Sequence, residues 1–380
     1  MDESALLQQA RQATGLSDFG GEEFRPGLRV LLAALSESEH PPPVREALLG
    51  QCLQLLRTRL HLAAARVADP GIAAERIDAP IFVIGLPRTG TTALVDLMAQ
   101  DPAARALMQW EVAAGIHPPP RRDAWASDPR IAEVDRMLAA HPGMSAIAAL
   151  GQHTPGAMLP DECNNLLTLE FWTPNFSAAT PLPRYTHWYR AAPPWNPFRF
   201  HRCVLQHLQH HGPVGRWTLK SPPHIFALSL LDQVYPDAMI VQTHRDPRQV
   251  MPSLCGLHAT LRGYARGDRR YLHTGPELLD LWSEGMRRCI AARQDPALDA
   301  RVLDIRHRDL AADPFAALER IYAQFGLDFS PAAQARFRAW IAQPVQQHSS
   351  VKFTLEEFGL DAASVDAAFA GYRERYGEYF

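Results

Sequence analysis

The stretch that decides the fold is APIFVIGLPRTGTT, residues 79–92. A run of β-branched and aromatic residues at positions 81–84 predicts a buried strand. Gly85 and Gly90 bracket a short loop, and the apolar-periodic ALVDLMA that follows predicts a helix. The first N–H groups of a helix have no intrahelical partner and carry partial positive charge. This order of elements therefore predicts a binding site for phosphate or sulfate oxygens.

The two glycines have the spacing of a Walker A loop, GxxxxGK[ST], with one departure. The residue after Gly90 is Thr91, where a Walker A loop has the lysine that reaches the β- and γ-phosphates. The departure disfavours an ordinary ATPase or GTPase. Taken alone, the motif is also consistent with a Gly-rich turn that only joins a strand to a helix.

Composition and charge exclude several classes of protein. The chain has 380 residues, of which 47% are hydrophobic, enough for one large core or two modest ones. The formal net charge of −3 gives no bulk basic field for nucleic acid, so a nucleotide site must be local. No apolar run reaches the ~18 residues of a membrane span. The five scattered cysteines have no metal-ligand spacing, and the acidic N-terminus lacks signal-peptide features. We expect a soluble, cytoplasmic protein.

The periodicity of the chain predicts three regions. Residues 1–76 carry helical periodicity and predict a helical N-terminal module. Residues 77–330 alternate strand, loop and helix, which predicts an α/β domain with a mainly parallel sheet flanked by helices and interrupted by a helical insertion at about 120–215. Residues 331–380 predict a C-terminal loop and helix that close on the nucleotide site. A capping-box pattern opens that helix at Thr354.

Three short motifs follow predicted strands: PRTGTT (87–92), LKSPPH (219–224) and THRDPRQVMPSL (243–254). The carboxyl ends of parallel strands meet at one edge of a sheet, where ligands bind. In order and spacing the motifs resemble the sulfotransferase family that uses 3′-phosphoadenosine 5′-phosphosulfate (PAPS), above all its bacterial branch and the tyrosylprotein sulfotransferases. The resemblance covers about residues 79–330. It implies a P-loop-like fold and transfer of a sulfuryl group from PAPS to a hydroxyl or amine.

The resemblance also implies which residues hold the donor. Arg245 and Ser253 match the family's arginine and serine on the 3′-phosphate, and a guanidinium fork with a hydroxyl suits phosphate chemically. Arg248 is either a second phosphate contact or a solvent-facing residue at the start of a helix. The residues implied to hold the 5′-phosphosulfate are Pro87, Arg88, Thr89, Gly90, Thr91 and Thr92.

The resemblance implies a catalytic role for a second set of residues. Lys220, one of only two lysines in the chain, resembles the family's lysine that contacts the transferred group. Sulfuryl transfer is analogous to phosphoryl transfer, so positioning and cationic stabilisation are the protein's main tasks. Lys220 and Arg88 fit that task, and no metal is required.

A carboxylate is the leading candidate for the general base. Glu111 occupies the place of the tyrosylprotein-type catalytic glutamate, which takes the proton of the acceptor hydroxyl. An exposed loop glutamate is the alternative interpretation of this residue. Cytosolic small-molecule sulfotransferases generally use a histidine instead, so three further candidates stay open: His224, His153 and Glu162.

The acceptor, one departure from the family pattern and one further lysine complete the predictions. The aromatic-rich insertion favours a small apolar acceptor, although each of its aromatics is equally well explained as ordinary core. His307 stands where relatives often have a tyrosine, and Lys352 lies in a polar loop that either closes over the nucleotide or is plain surface. The alternative functions are a nucleotide-dependent small-molecule kinase and a non-catalytic nucleotide-binding protein. The sequence leaves the oligomeric state open.

Overall fold

The chain forms two compact units. A computed structural model describes residues 2–140, 156–191, 193–263, 274–343 and 352–380. The first unit comprises Met1–Ile77, Trp110–Ile131 and Cys163–Val214. The second unit comprises Asp78–Gln109, Ala132–Glu162 and Gly215–Phe380.

Helices make up most of the described chain. None of those within the described ranges is both long enough and apolar enough to cross a membrane. Short 3-10 helices are found at Arg122–Ser127, Cys163–Glu170, Pro222–Phe226, Glu356–Phe358 and Gly377–Tyr379. The α-helices, in chain order, are α1 (Glu3–Thr14), α2 (Arg25–Glu37), α3 (Pro42–Ala68), α4 (Gly71–Ala74), α5 (Thr91–Met98), α6 (Gln109–Ala113), α7 (Pro129–Ala140), α8 (Asn175–Ala178), α9 (Pro183–Tyr189), α10 (Phe198–His211), α11 (Leu228–Val234), α12 (Pro247–Gly263), α13 (Gly275–Ala292), α14 (Pro296–Asp299), α15 (His307–Ala312), α16 (Pro314–Phe325), α17 (Pro331–Ile341), α18 (Ala362–Ala368) and α19 (Ala370–Tyr376).

The second unit is built around a sheet. Its strands pair in the order β2-β3-β1-β4-β5, and every pair is parallel. This arrangement confirms the predicted P-loop-like α/β fold with a mainly parallel sheet flanked by helices. The strands are β1 (Ile81–Gly85), β2 (Ala104–Ala106), β3 (Arg216–Lys220), β4 (Met239–His244) and β5 (Val302–Arg306).

Strand β1 is the centre of the sheet. It lies between β3 and β4, with Val83 opposite Lys220 and Gly85 opposite Thr243. All five of its residues are buried, as expected for a parallel strand covered on both faces. Because these strands are parallel, the three motif-bearing loops that follow them begin at the same edge of the sheet.

Helices pack on both faces of this sheet. On one face Ile81 and Val83 join a core cluster with α5 and with α15 to α17, which includes Leu94. On the other face the ring of Phe82 lies 5.7 Å from that of His224 and 5.3 Å from that of Tyr235. The alternation along β1 thus places successive side chains in two separate apolar layers.

Two features of the sheet differ from the sequence predictions. Strand β2 was not predicted, because three residues are too few to show a period of two. The run VLDIRHRDL predicts one strand, but β5 ends at Arg306 and α15 begins at His307. Leu310 of α15 is 6% exposed and packs in the core cluster, so tertiary burial favours the helix there.

The first unit is helical, and a buried ion pair lies in its core. The guanidinium of Arg59 donates to Glu170 Oε1 at 2.6 Å and to the carbonyl oxygens of Phe19 and Leu169. Trp195 Nε1 donates to the second oxygen of the same carboxylate at 3.1 Å. These bonds satisfy both charged groups and tie the N-terminal helices to the insertion within this unit.

Most insertion aromatics prove to be core residues of the first unit. Phe171, Trp172, Phe176, Tyr185 and Tyr189 are each at most 3% exposed. Burial raises the pKa of the Tyr185 phenol, whose O–H donates to the Phe171 carbonyl oxygen at 2.7 Å. For these five residues the ordinary-core interpretation is therefore confirmed.

The C-terminal segment carries the predicted capping box. Thr354 N donates to Glu357 Oε2 at 2.7 Å, and Glu357 N donates to Thr354 Oγ1 at 3.4 Å. The box opens only a single 3-10 turn, Glu356–Phe358, and not a full helix. Gly359 follows in the left-handed conformation, with φ 71°, and ends the turn.

Candidate active site

The loop between β1 and α5 depends on its two glycines. Gly85 has φ 138°, and a Cβ there would lie 2.5 Å from the Thr243 carbonyl oxygen. Gly90 has φ 90°, and a Cβ there would lie 3.2 Å from His307 Cδ2. A side chain at either position meets both an unfavourable φ and a close neighbour. Between them Arg88 has φ 67°, which is uncommon for a residue other than glycine.

The hydroxyl of Thr89 holds the loop against the neighbouring strand. Thr89 is fully buried, and its Oγ1 donates to the Leu86 carbonyl oxygen at 2.6 Å. The same hydroxyl lies 2.6 Å from Thr243 Oγ1 on β4. The side chain thus bonds within the protein, and only its main-chain amide is suited to meet a ligand. Gly90 is the N-cap of α5 and makes no side-chain cap hydrogen bond, so no cap side chain competes with a ligand for the amides of this helix start.

The loop motif and the α12 motif converge at Arg88. Arg88 Nε donates to Ser253 Oγ at 2.9 Å, although the two residues are 165 positions apart. Arg245 Nη1 donates to the Arg88 carbonyl oxygen at 3.0 Å, and Arg245 Nε donates to Gln249 Oε1 at 3.3 Å. Two guanidinium groups and a hydroxyl therefore lie together beside the loop. These are the donors that a phosphate requires.

The electrostatics of this cluster favour an anion. Burial lowers the pKa of Arg88, and the charge of Arg245 lowers it further. Burial also lowers the pKa of Arg245. Burial, together with the charges of Arg245 and Arg88, lowers the pKa of His307 to about 4, so its imidazole is neutral at pH 7. An arriving anion would relieve the repulsion between these groups.

Lys220 ends β3 beside the start of α5. Its side chain is 5% exposed, and Nζ donates to Thr92 Oγ1 at 3.2 Å. Nζ also donates to Glu162 Oε1 at 2.8 Å, and that carboxylate side chain is 33% exposed. The ammonium thus lies at the start of α5, in the same unit as Arg88, Arg245 and Ser253, which we call the Arg88 cluster. The pairing with Glu162, 58 positions away, is a feature that the sequence did not reveal.

Glu111 lies in the first unit, on α6. It is 1% exposed, and its Oε1 accepts a hydrogen bond from Trp125 Nε1 at 3.0 Å. The exposed-loop interpretation of Glu111 is therefore wrong, because the carboxylate is buried and hydrogen-bonded. The Trp110 ring beside it is covered by the guanidinium of Arg130, 5.0 Å from the ring centroid.

The other candidate bases occupy different surroundings. His224 is fully buried and lies against Phe82 in the sheet core of the second unit. Glu162 is the partner of Lys220. His153 lies outside the described residues.

Two further basic candidates can be placed. Arg248 Nε donates to Asp366 Oδ1 at 2.8 Å, so this guanidinium is paired with α18. The side chain of Lys352 is exposed. The next residue, Phe353, packs on α12, where its ring lies against Gly256 and leaves no room for a Cβ. The segment that carries Lys352 is thus anchored to the helix that also carries Ser253.

Comparison with known proteins gives consistent results. The family model described as the sulfotransferase family matches residues 80–331. The omega-hydroxy-beta-dihydromenaquinone-9 sulfotransferase Stf3 of Mycobacterium bovis is 26% identical over 348 residues, which is 87% of this chain and 82% of that protein. Stf3 of Mycobacterium tuberculosis gives the same values.

Two crystal structures resemble the whole chain. Sulfotransferase STF1 from Mycobacterium tuberculosis H37Rv has a TM-score of 0.81 and 31% identity, with 98% of this chain and 99% of that chain covered. Sulfotransferase STF9 from Mycobacterium avium has a TM-score of 0.86 and 26% identity, with 98% and 96% covered.

Proposed function

The chain belongs to the sulfotransferase family, and on this premise we propose that it moves a sulfuryl group from PAPS to a hydroxyl or amine of a small apolar acceptor. The observation that carries the donor assignment is the convergence of Arg88, Arg245 and Ser253. Their contacts of 2.9 and 3.0 Å join the two motifs that the family resemblance assigns to opposite ends of one nucleotide.

The residues present suit a bisphosphorylated nucleotide. The amides from Gly90 to Thr92 and the guanidinium of Arg88 would hold the 5′-phosphosulfate, because helix-start amides and guanidinium groups both donate to anionic oxygens. Arg245 and Ser253 would hold the 3′-phosphate. The lowered pKa values of Arg88 and Arg245 support this assignment: burial lowers both, the charge of Arg245 lowers that of Arg88 further, and a bound anion would compensate the buried positive charge.

The chemistry assigned to this chain is positioning and charge stabilisation. The acceptor oxygen or nitrogen forms its bond to sulfur while the bond from sulfur to the 5′-phosphate oxygen breaks. Lys220 would stabilise the negative charge on the sulfuryl oxygens, and Arg88 that on the leaving oxygen. Glu111 would take the proton of the acceptor, and its bond from Trp125 would hold the carboxylate in one orientation. The scheme needs no metal ion.

The proposed chemical class of the acceptor is supported by the name of a similar protein. Stf3 is named for an ω-hydroxylated dihydromenaquinone, which presents a hydroxyl group. We propose that this chain, too, acts on a hydroxyl of a small apolar molecule, with an amine as the second option.

Calorimetry with PAP, the desulfated product, tests the donor assignment. We expect saturable binding of PAP and no comparable binding of ATP with Mg²⁺. Absence of PAP binding at about millimolar ligand would overturn the proposal, and Mg²⁺-dependent turnover of ATP would favour the kinase alternative. Screening ³⁵S-labelled PAPS against phenols, sterols, sugars and an ω-hydroxylated dihydromenaquinone would then identify the acceptor. PAP binding without any transfer would favour the non-catalytic alternative.

Arg245→Met should weaken PAP binding about 10- to 150-fold. The expected loss is that of a charge-assisted hydrogen bond to phosphate, about 1.5–3 kcal/mol. Binding of AMP, which lacks the 3′-phosphate, should change by less than about threefold in the same variant. Arg248→Met is the matched control, because the Arg248 side chain is already paired with Asp366. Equal losses for PAP and AMP would show that Arg245 does not bind the 3′-phosphate.

Glu111→Gln should lower kcat about 10²- to 10⁴-fold, the usual contribution of a general base. The amide keeps the size of the side chain and can still accept from Trp125 Nε1, so the affinity for PAP should stay within about threefold of wild type. Steady-state kinetics beside calorimetry measures both. A wild-type kcat in this variant would show that another residue accepts the proton.

A further inference from the structure

The ammonium of Lys220 is held by two side chains from different parts of the second unit. Thr92 Oγ1 lies 3.2 Å from Nζ and belongs to the first turn of α5. Glu162 Oε1 lies 2.8 Å from Nζ and comes from the segment before the 3-10 helix Cys163–Glu170. Glu162 is the only carboxylate in the described residues that forms an ion pair with Lys220.

The burial of the two partners differs, and the difference indicates a role. The Lys220 side chain is 5% exposed, whereas that of Glu162 is 33% exposed. A buried ammonium without a counter-charge is strongly disfavoured, whereas a carboxylate at this exposure is stable in water without a partner. The ion pair therefore stabilises the buried lysine more than it stabilises the half-buried glutamate.

Backbone pairing fixes the position of Glu162. Asp161 N donates to the Leu107 carbonyl oxygen at 2.7 Å, and Gln109 N donates to the Leu159 carbonyl oxygen at 2.9 Å. An antiparallel bridge joins Met108 and Pro160 between them. The residue thus follows an anchored segment, and its carboxylate has a defined place.

From this geometry we infer that Glu162 is a positioning residue that holds the Lys220 ammonium at the start of α5, where the transferred group would bind. The inference rests on the proposed function, which gives Lys220 its role in stabilising charge during transfer. Glu162 acts through Lys220 and takes no proton from the acceptor. A displacement of about 1 Å at such a group can cost about 10²-fold in rate.

Kinetics of full-length variants tests this role. Glu162→Gln should lower kcat about 10- to 100-fold with ³⁵S-labelled PAPS and the acceptor found in the screen. Its affinity for PAP should stay within about threefold of wild type, because PAP lacks the sulfuryl group that Lys220 would contact. Glu162→Asp should recover part of the loss. Glu133→Gln, which removes an exposed carboxylate on α7 of the same unit, is the control for charge and should match wild type.

A double-mutant cycle separates positioning from an independent role. If Glu162 acts only through Lys220, then Glu162→Gln should change the activity of Lys220→Met by less than about threefold. A further loss equal to that in the wild-type background would overturn the inference and favour direct proton transfer to Glu162. Wild-type kcat in Glu162→Gln would also overturn it. If wild type neither binds PAP nor turns over, the proposed function itself has failed.

The lysine content provides a direct structural readout that needs no acceptor. With ¹⁵N-labelled lysine the chain should give two Nζ signals, from Lys220 and Lys352, and Lys352→Met identifies which belongs to Lys220. A hydrogen-bonded, buried ammonium exchanges its protons slowly, so its signal should be sharp in wild type. Glu162→Gln should shift or broaden it, whereas Glu133→Gln should not. An unchanged Lys220 signal in Glu162→Gln would contradict the ion pair and overturn the inference.

Discussion

Lys220→Met should lower kcat about 10³-fold and leave the affinity for PAP within about threefold of wild type. Removing one preorganised donor from a developing negative charge costs about 10²–10³-fold, and cationic groups in phosphoryl transfer contribute about 10³–10⁵-fold. Lys220 Nζ is 3.2 Å from Thr92 Oγ1 at the start of α5, where the proposed function places the sulfuryl group, so the lost charge would be next to the transferred group. Single-turnover kinetics with ³⁵S-labelled PAPS measures the effect.

Two further variants test whether the loss of kcat is specific to the Lys220 ammonium. Lys220→Arg keeps the charge but should recover little activity, since a planar guanidinium does not fit a 5%-exposed site shaped for an ammonium. Arg287→Met removes an exposed positive charge, paired with Glu284 on α13, and should behave as wild type. If Lys220→Met weakens PAP binding as strongly as it lowers kcat, Lys220 contributes to nucleotide binding and not to transfer.

Gly85→Ala should lower the free energy of unfolding by about 3 kcal/mol. The methyl group would start 2.5 Å from the Thr243 carbonyl oxygen, a backbone atom that can move only with β4. The residue also has φ 138°, which alanine rarely adopts. Chemical denaturation measures the change. PAP affinity should fall by at least about tenfold, because the displaced loop carries the amides that would bind the phosphosulfate.

Gly326→Ala is the matched control for backbone strain alone. Gly326 has φ 61°, and a Cβ there would meet nothing within 4 Å. Its replacement should cost only about 1 kcal/mol, the price of the left-handed conformation, and should leave PAP binding unchanged. Equal costs for the two variants would show that the contact between Gly85 and β4 is not tight.

Lys220 lies near the loop that departs from the Walker A pattern. That pattern places its lysine directly after the second glycine, at the position of Thr91. Here β3, which pairs directly with β1, delivers an ammonium to the same helix start. A positive charge thus lies beside the start of α5, although the residue after the second glycine is Thr91.

Much of the fold could be predicted because its signals are local. Strands β1, β3 and β4 are short buried runs followed by glycine- or proline-containing loops, and the sequence predicts all three. The sequence also predicts that Arg88, Arg245 and Ser253 suit an anion, because arginine and serine side chains donate hydrogen bonds to phosphate in any context. Strand β2 and the early end of β5 were missed, since packing against β3 and burial of Leu310 decide them.

The sequence by itself determined the order of strand, loop and helix, the two glycines of the loop between β1 and α5, and the residue types there that suit a doubly phosphorylated nucleotide. Only the tertiary structure decided that Arg88 meets Ser253 across 165 positions and that Lys220 meets Glu162 across 58. The reason is physical. Periodicity and turn chemistry act over a few neighbouring residues, whereas the partner of a buried charge is chosen by strand order and backbone pairing, which bring distant segments together.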